Sequence, residues 1–533
     1  MHETILLLLA LLLIVSLLVM MAQRLNISYP IFLVLGGLGM SFVPGLPRLD
    51  LDPDIIFLIF LPPLLYEAAW FTSWKEFWKW RRVITMLAFG LVIITSCVVA
   101  FVSNALIPGF TLALGFLLGG IISPPDAVAA TSVLKGIKVP RVVTTILEGE
   151  SLINDASSLT VFRFALVAVL SGSFVWQEAA TSFLMLTVMG VLVGLAIAHV
   201  FYAIHRWLPT TSSIDTALTF VAPYLMYLTA EHFHYSGVMA VVSGGLFLSF
   251  RNHEFFTHSS RLQALNAWAT VSFVLNGVVF ILIGLELPTI VDGLGDYSKA
   301  EAIKYSLIIS AIVIVTRLLM GQVIALFTRL VSRWISVSDA RPGWRNPIII
   351  GWAGMRGVVS LASALSIPLL AEDSTPFPQR NLILFITFVV ILVTLVVQGL
   401  TLPLIIRWVN PQEREGFIPE EEQDATVRLK LLNVSLTHLN DKYRSETEQN
   451  ELVANLKTRI ESDVHLTNER LDSLEDCRRD NTIGRFREVV MDVIEVQRKE
   501  LYRIGRETEF SDEVIRRHEA QLDLEEEKIS KDE

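Results

Sequence analysis

Long apolar runs constrain this chain more than any other feature of its sequence. Each backbone N–H and C=O inside a bilayer must be paired within the protein, so an apolar run of about 17–25 residues favours a spanning helix. The mean hydropathy of +0.54, with only 18% of residues charged, excludes an ordinary soluble protein. The sequence therefore predicts an all-α polytopic membrane protein with thirteen transmembrane helices. The predicted spans cover residues 4–22, 27–45, 54–71, 82–107, 110–134, 145–171, 178–205, 214–232, 236–251, 267–290, 302–328, 346–371 and 381–408.

The charged residues are unevenly distributed. Residues 1–410 contain 23 basic and 21 acidic residues, whereas residues 411–533 contain 20 basic and 32 acidic residues. The acidic balance removes the usual electrostatic basis for nucleic-acid binding. We expect a transmembrane domain over 1–410 and a soluble helical tail over 411–533. The tail is interpreted either as a small helical bundle or coiled coil, or as a regulatory domain with a ligand of its own.

The short loops predict the orientation of the chain. One set of alternate loops contains fifteen Lys and Arg residues, and the opposite set contains only Arg48, Lys299, Lys304 and Arg380. Basic residues are retained on the cytoplasmic side of a membrane. The amino terminus is therefore predicted outside the cell, and the tail in the cytoplasm.

Few ionisable residues interrupt the apolar runs. A charge near the bilayer centre costs about 2.5–3.5 kcal/mol on insertion scales, so each such residue needs a partner or a function. Taken singly, each could belong to a buried ion pair that fixes helix packing, and a pair between Glu286 and Arg317 is one such prediction. The residues concerned are Glu67, Asp126, Glu148, Glu150, Asp155, Arg163, Glu286, Arg317 and Arg356.

One cluster favours a function. Ser151 and Asp155 are four residues apart on one predicted helix, so they share a face, and Asn154 lies beside them. A hydroxyl, an amide and a carboxylate are then predicted to point into one small volume. These hard oxygen donors suit an alkali cation better than a transition metal. Two cysteines, Cys97 and Cys477, are too few for a disulfide framework or a metal cluster.

Two of the predicted helices should be interrupted. Pro124 and Pro125 remove two backbone donors in the middle of the fifth apolar run. Three glycines around Arg356, at positions 351, 354 and 357, loosen the twelfth run. Interrupted helices near the bilayer midplane hold ions in secondary transporters. Their separation by seven helices fits two inverted six-helix repeats with one extra helix.

The combined motifs carry a family resemblance. LPPLLYEAAW, SPPDAVAA, EGESLINDASS and GWAGMRGVVSLASAL occur in this order within residues 1–410. Together they resemble the bacterial sodium/proton antiporters of the electroneutral branch of the monovalent cation:proton antiporter superfamily. The resemblance implies a homodimer in the bacterial inner membrane, in which a six-helix core domain moves like an elevator against a dimerisation domain.

The resemblance also implies roles for the residues at the interrupted helix. Asp155 matches the carboxylate that binds the cation and the proton. Asn154 matches its neighbour, where an electrogenic branch has a second aspartate. Asp126 and the backbone carbonyl of Pro125 match positions beside the site, although many relatives have Asp-Pro where the prolines here precede the aspartate.

Four further residues match positions that support the site. Glu67 and Ser151 match residues that complete the coordination of Na⁺ together with Asp155 and Asp126. Glu150 and Arg356 match a buried ion pair, so removal of Arg356 is expected to leave Glu150 uncompensated. The tail resembles those of bacterial members.

The predicted activity is exchange of Na⁺, or of Li⁺ or K⁺, for H⁺ in a ratio of one to one, which serves pH homeostasis. The sequence has no Gly-Lys dipeptide and hence no phosphate-binding loop of the ATPase type, so an ATP-driven pump is not expected. As a secondary transporter, the protein is expected to be neither an enzyme nor dependent on a cofactor. Alternatives are a K⁺-selective antiporter, a cation channel, a carrier for an organic substrate, and a membrane-anchored signalling protein. The channel does not require interrupted helices, and the organic carrier would need an aromatic lining.

Overall fold

The computed structural model describes residues 2–25, 27–43, 53–172, 176–294, 297–332, 339, 342–370, 376–411, 420–475, 481–504 and 512–530. Within these ranges the chain forms helices and no β-strand, which confirms the predicted all-α class. The chain divides into two compact units, Met1–Gln412 and Glu413–Glu533.

The first unit consists mostly of apolar helices, together with two short π-helical segments. The π-helical segments, Met86–Leu91 and Thr394–Gln398, each join two α-helices without a break. The helices are α1 (His2–Arg24), α2 (Tyr29–Ser41), α3 (Pro53–Phe71), α4 (Trp74–Thr85), α5 (Val92–Leu106), α6 (Leu112–Ile122), α7 (Ala127–Leu134), α8 (Arg141–Ser171), α9 (Trp176–Trp207), α10 (Ser212–His232), α11 (Gly237–Phe255), α12 (His258–Leu285), α13 (Leu287–Asp292), α14 (Lys299–Val331), α15 (Arg345–Trp352), α16 (Val358–Leu365), α17 (Arg380–Val393) and α18 (Gly399–Val409).

Seven segments of the described chain are long and apolar enough to cross a membrane. Three shorter apolar helices accompany them, at Leu9–Arg24, Tyr29–Ser41 and Phe57–Phe71. Helices α10 and α11 and the interrupted pair α15–α16 occupy the other predicted spans, and the count of thirteen crossings stays a prediction. The seven segments are Trp74–Leu106, Leu112–Leu134, Arg141–Ser171, Thr181–Trp207, His258–Asp292, Lys299–Val331 and Arg380–Val409.

Both predicted interruptions are present. Helix α6 ends at Ile122 and α7 begins at Ala127, with the tandem prolines in the unwound residues between them. Helix α15 ends at Trp352 and α16 begins at Val358, which leaves residues 353–357 unwound. The two unwound segments cross, and a hydrogen bond joins them where they meet. The backbone N–H of Asp126 donates to the carbonyl of Met355 at 2.6 Å.

The helices of the first unit pack into two bundles. In what we call the first bundle, α1, α2 and α3 pack with α9, α10, α11 and α12. In the second bundle, α4 to α8 pack with α14 to α18, so both interrupted helices belong to the second bundle. The two bundles are joined by contacts of α3 with α8 and α16, of α12 with α16, of α9 and α11 with α8, and of α2 with α7.

Glycines permit the closest helix contacts. A Cβ atom at Gly119 would lie 2.6 Å from the Cα atom of Ser96, and one at Gly194 would lie 2.1 Å from the carbonyl oxygen of Ala240. Helices α2 and α12 meet in the same way, since a Cβ at Gly37 would lie 2.3 Å from the carbonyl oxygen of Ile281. Small residues at such crossings let helix backbones approach closely inside a membrane.

The second unit is a set of polar helices that pack in pairs. Helices α19 and α21 pack together, and α22 packs with α23. Arg498 of α22 forms ion pairs of 2.6 Å with Asp523 and with Glu526 of α23. The helices are α19 (Glu420–Lys442), α20 (Arg444–Gln449), α21 (Glu451–Glu475), α22 (Asn481–Ile504) and α23 (Asp512–Ser530).

The crossing of α2 and α12 generates a prediction with a control on the same helix. Gly37→Ala should destabilise the protein by roughly 1–3 kcal/mol, because a methyl group there meets rigid backbone. Gly39→Ala should be neutral or stabilising by up to about 1 kcal/mol, since a Cβ at Gly39 has no neighbour within 4 Å. The thermal stability of both variants is measured by the temperature at which heating removes the monodisperse peak in size-exclusion chromatography. Equal melting of the two would contradict the packing assigned to Gly37.

Candidate functional site

A cavity of about 80 Å³ lies between the two bundles. Its walls are built by α3 and α12 of the first bundle and by α7, α8, α16 and the unwound residues 124–126 of the second. Most of the lining is apolar, from Phe, Leu, Val, Ala and Pro side chains. The polar residues in the lining are Asp126, Ser151, Asp155, Asn276 and Ser360.

Asp155 on α8 is the central residue of this cavity. Its side chain is almost entirely buried, with 7% of the residue exposed. No hydrogen bond or ion pair to its carboxylate is found among the described residues. A buried carboxylate without a protein partner is costly unless it holds a proton or a cation. The cavity is where either can reach it.

Ser151 lies one turn before Asp155 and lines the same cavity, as the spacing predicts. Its hydroxyl oxygen accepts a hydrogen bond of 3.3 Å from the backbone N–H of Ala127 at the start of α7. Asn154 differs from the expectation, because it is fully buried and does not line the cavity. Its amide instead donates to the carbonyl of Pro125 at 3.2 Å. Consecutive residues of a helix point about 100° apart, so Asn154 and Asp155 face different surroundings.

Asp126 lies where two half-helices begin. One carboxylate oxygen accepts a hydrogen bond of 2.8 Å from the N–H of Val128 and thereby caps α7. The other oxygen occupies the space that a side chain at Gly357 would need, since a Cβ there would lie 1.9 Å from it. Gly357 is the residue before α16, so the carboxylate faces the amino-terminal ends of both α7 and α16. Helix amino termini stabilise a negative charge.

The structure brings together only part of the predicted cation shell. Asp126, Ser151, Asp155 and Pro125 all line the cavity. Glu67 on α3 is half-buried and does not line it in this structure. The participation of Glu67 as a ligand stays a prediction.

The predicted ion pair between Glu150 and Arg356 is wrong. Glu150 is bound by Arg317 of α14, with distances of 2.5 Å from Nη1 to Oε1 and 2.8 Å from Nη2 to Oε2. Both side chains are 1% exposed, so this is a fully buried bidentate pair. The predicted pair of Arg317 with Glu286 is wrong for the same reason.

Arg356 binds the backbone of the interrupted helices instead. Its Nε donates to the carbonyl of Ile122 at 3.1 Å, and its Nη1 donates to the carbonyl of Gly354. Its own backbone N–H donates to the hydroxyl of Thr394 at 3.1 Å. Because Arg356 lies in the unwound segment, it is next to the carbonyls that each interruption leaves without a helical partner. Its guanidinium donates to these carbonyls and therefore does not form an ion pair with Glu150.

Three residues of the site were missed by reasoning from the sequence. Arg317 was assigned to another partner, and Asn276 on α12 and Ser360 on α16 were not considered. A polar residue within an apolar run is a usable signal, and Asn276 in SFVLNGVVFI carries it. Its position on the cavity wall depends on how α12 packs against α16, which the sequence of one helix does not specify.

Two interrupted helices that cross beside a buried carboxylate, in a bundle of apolar helices, are the architecture of a secondary ion transporter. The chain belongs to the family described as sodium/hydrogen exchanger, transmembrane, whose profile matches residues 8–408. This family membership confirms the resemblance carried by the sequence motifs.

Two relatives support this family membership, and one solved structure has a similar fold. The sodium, potassium, lithium and rubidium/H⁺ antiporter of Bacillus subtilis is 34% identical, with 70% of this chain and 56% of that protein covered. This chain thus spans little more than half the length of that relative. The Na⁺/H⁺ antiporter ApNhaP of Aphanothece halophytica is 32% identical, over 78% and 76% of the two chains. The fold is similar to the structure of the sodium proton antiporter MjNhaP1 from Methanocaldococcus jannaschii, with a TM-score of 0.62, 18% identity and coverage of 77% and 99%.

The corrected ion pair leads to a prediction. Arg317→Ala should destabilise the protein by about 3–5 kcal/mol, because it leaves Glu150 charged and buried without a partner. Arg163 offers an exposed control, since its Nη2 donates to both carboxylate oxygens of Glu231 at 2.8 and 2.9 Å but its side chain is 46% exposed. Arg163→Ala should cost less than about 1 kcal/mol. The yield of folded protein and the melting temperature in detergent measure the stability of both variants. A milder effect of Arg317→Ala than of Arg163→Ala would contradict the assignment of Arg317 as the partner of Glu150.

Proposed function

We propose that the protein exchanges Na⁺ for H⁺ across the cell membrane, and that both ions bind in turn at Asp155. The family and the relatives support cation/proton exchange, and the state of Asp155 supports this residue as the shared site. Its carboxylate is buried, lines the cavity and has no partner among the described residues. A proton and a cation are the two species that can neutralise it.

Exchange follows from the cost of an unloaded site. Without a bound ion, Asp126 and Asp155 would present two negative charges in a largely apolar environment. Moving them past a hydrophobic barrier is unfavourable, so movement requires that the site carries either a cation or a proton. The gradient of one ion then drives the other without a second source of energy.

The stoichiometry is proposed to be one to one and electroneutral. Asn154 cannot titrate, and we propose that Asp126 keeps its charge throughout the cycle, because it caps α7 and faces the amino terminus of α16. Asp155 is then the group that gains and loses the proton. Since H⁺ and Na⁺ carry the same charge, the loaded site has the same net charge in both half-cycles.

The proposed motion is an elevator movement of the second bundle. Asp126, Ser151 and Asp155 all belong to the second bundle, whereas the opposite wall of the cavity belongs to α3 and α12 of the first. The cavity lining between the bundles is mostly apolar, and the movement has to break the partly exposed ion pair between Arg163 of α8 and Glu231 of α10. We propose that the second bundle carries the ion and that the first forms the dimerisation domain of a homodimer.

The placement in the cell is proposed from the charge pattern. The amino terminus is outside and the tail, residues 411–533, is cytoplasmic in a bacterial inner membrane. There the exchanger would serve pH homeostasis, with the tail as a regulatory domain. Transport of Na⁺ and H⁺ needs no cofactor beyond the ions themselves.

Transport of K⁺ is the alternative. The Bacillus subtilis relative is a sodium, potassium, lithium and rubidium/H⁺ antiporter, so that protein accepts more than one alkali cation. A site of carboxylate and hydroxyl oxygens with a polar amide nearby can bind any of these ions. K⁺ is therefore a second candidate for the main transported cation.

Proteoliposomes with an internal pH dye test this proposal. Addition of NaCl, LiCl or KCl should move protons at rates that rank the cations, and Asp155→Asn should abolish this movement. A K⁺ signal that exceeds the Na⁺ signal would favour the alternative. Glu148→Gln is the matched control, because Glu148 lies on the same helix but is exposed, and it should transport normally.

Changing the membrane potential with valinomycin should leave the rate at saturating cation unchanged. Persistent exchange in Asp155→Asn would refute the shared site. A rate that depends on the imposed potential would refute electroneutrality alone.

A further inference from the structure

Asn276 is a buried polar residue that the proposed cycle does not yet use. It lies on α12 and is 5% exposed. Among the described residues that line the cavity, it is the one polar side chain contributed by the first bundle, because α3 contributes only Phe, Leu and Ala. Asn276 therefore faces Asp126, Ser151 and Asp155 from the opposite wall.

The amide of Asn276 is available to the contents of the cavity. No hydrogen bond from its side chain to another described residue is found. An amide that is buried without a hydrogen bond is destabilising by about 1–3 kcal/mol. Residues in apolar helices that carry this penalty usually serve ion or substrate binding. Water or a cation in the cavity would supply the missing interactions.

We propose that Asn276 is a specificity-determining ligand, whose amide oxygen binds the cation held at Asp155 either directly or through one water molecule. This inference rests on the proposed function and deepens it. The cavity of about 80 Å³ exceeds the ~30 Å³ that one water molecule occupies in the liquid, so it can hold a cation that keeps part of its water. Amide carbonyl oxygens are hard ligands that suit alkali cations.

The chemistry of an amide separates its effect on the cation from its effect on the proton. The amide oxygen is a neutral ligand that binds a cation, whereas it does not take up a proton near neutral pH. Loss of Asn276 should thus weaken cation binding and leave protonation of Asp155 largely unaltered. Because the amide is on the first bundle and Asp155 is on the second, its contribution also depends on how the bundles are placed.

The test compares Asn276→Ala and Asn276→Ser with Asn266→Ala in proteoliposomes. Asn266 is on the same helix and exposed, so its substitution should leave transport unchanged. Asn276→Ala should raise the half-saturating Na⁺ concentration about tenfold, which corresponds to about 1.4 kcal/mol. The maximal rate should stay within about twofold of the unmodified protein, and the preference among Na⁺, Li⁺ and K⁺ should change. Asn276→Ser keeps an oxygen and should show a smaller rise.

The outcomes separate this inference from the proposed function. An unchanged half-saturating concentration and ion preference in Asn276→Ala would overturn the role of Asn276. So would a lower maximal rate with an unaltered preference, which indicates a structural role alone. If the alanine variant does not fold, the ion preference of Asn276→Ser tests the role of Asn276 instead. An unaltered preference in that variant again overturns the inference. Exchange that persists in Asp155→Asn would instead refute the proposed function, whatever Asn276 does.

Discussion

The crossing of the two interrupted helices is the feature on which the rest of the structure depends. Each interruption leaves backbone groups without helical partners inside a membrane, where water cannot satisfy them. The protein replaces those bonds by others: Asp126 N–H to Met355 C=O, the amide of Asn154 to the carbonyl of Pro125, and the guanidinium of Arg356 to the carbonyls of Ile122 and Gly354. The crossing is thus a hydrogen-bonded assembly that can position charged groups within an apolar bundle.

The charges around this crossing are divided between structure and function. Glu150 is neutralised by Arg317 in a buried bidentate pair, and Asp126 faces the amino termini of two half-helices. Asp155 remains as the carboxylate in the cavity for which the described residues provide no partner. We infer that this asymmetry leaves one group free to bind either a proton or a metal ion, while the other charges are fixed. Asn276 then supplies a neutral ligand from the opposite wall, where it can favour one cation over another.

The sequence was a good guide where local chemistry decides the structure, and a poor one where helix packing decides it. The all-helical class follows from the apolar runs, and the interruption at residues 124–125 follows from the missing donors of two prolines. The same dipeptide at residues 62–63 lies inside the continuous helix α3, so prolines alone do not determine a break. The partner of Glu150 was assigned wrongly because the family resemblance indicated Arg356, whereas the packing of α14 brings Arg317 to Glu150. Asn276 was missed for the same reason, since its role depends on where α12 meets the second bundle.

The central claim is that one site serves both ions, and proton release on cation binding tests it most directly. Purified protein in detergent, in a weakly buffered solution with a pH dye, should release close to one proton for each Na⁺ bound under conditions where the empty site is protonated. The half-saturating Na⁺ concentration should rise by up to about tenfold for each unit that the pH is lowered, which is the slope of one-for-one linkage. The Asp155→Asn variant should release no proton. Na⁺ binding that is independent of pH, or unchanged proton release in that variant, would contradict the account.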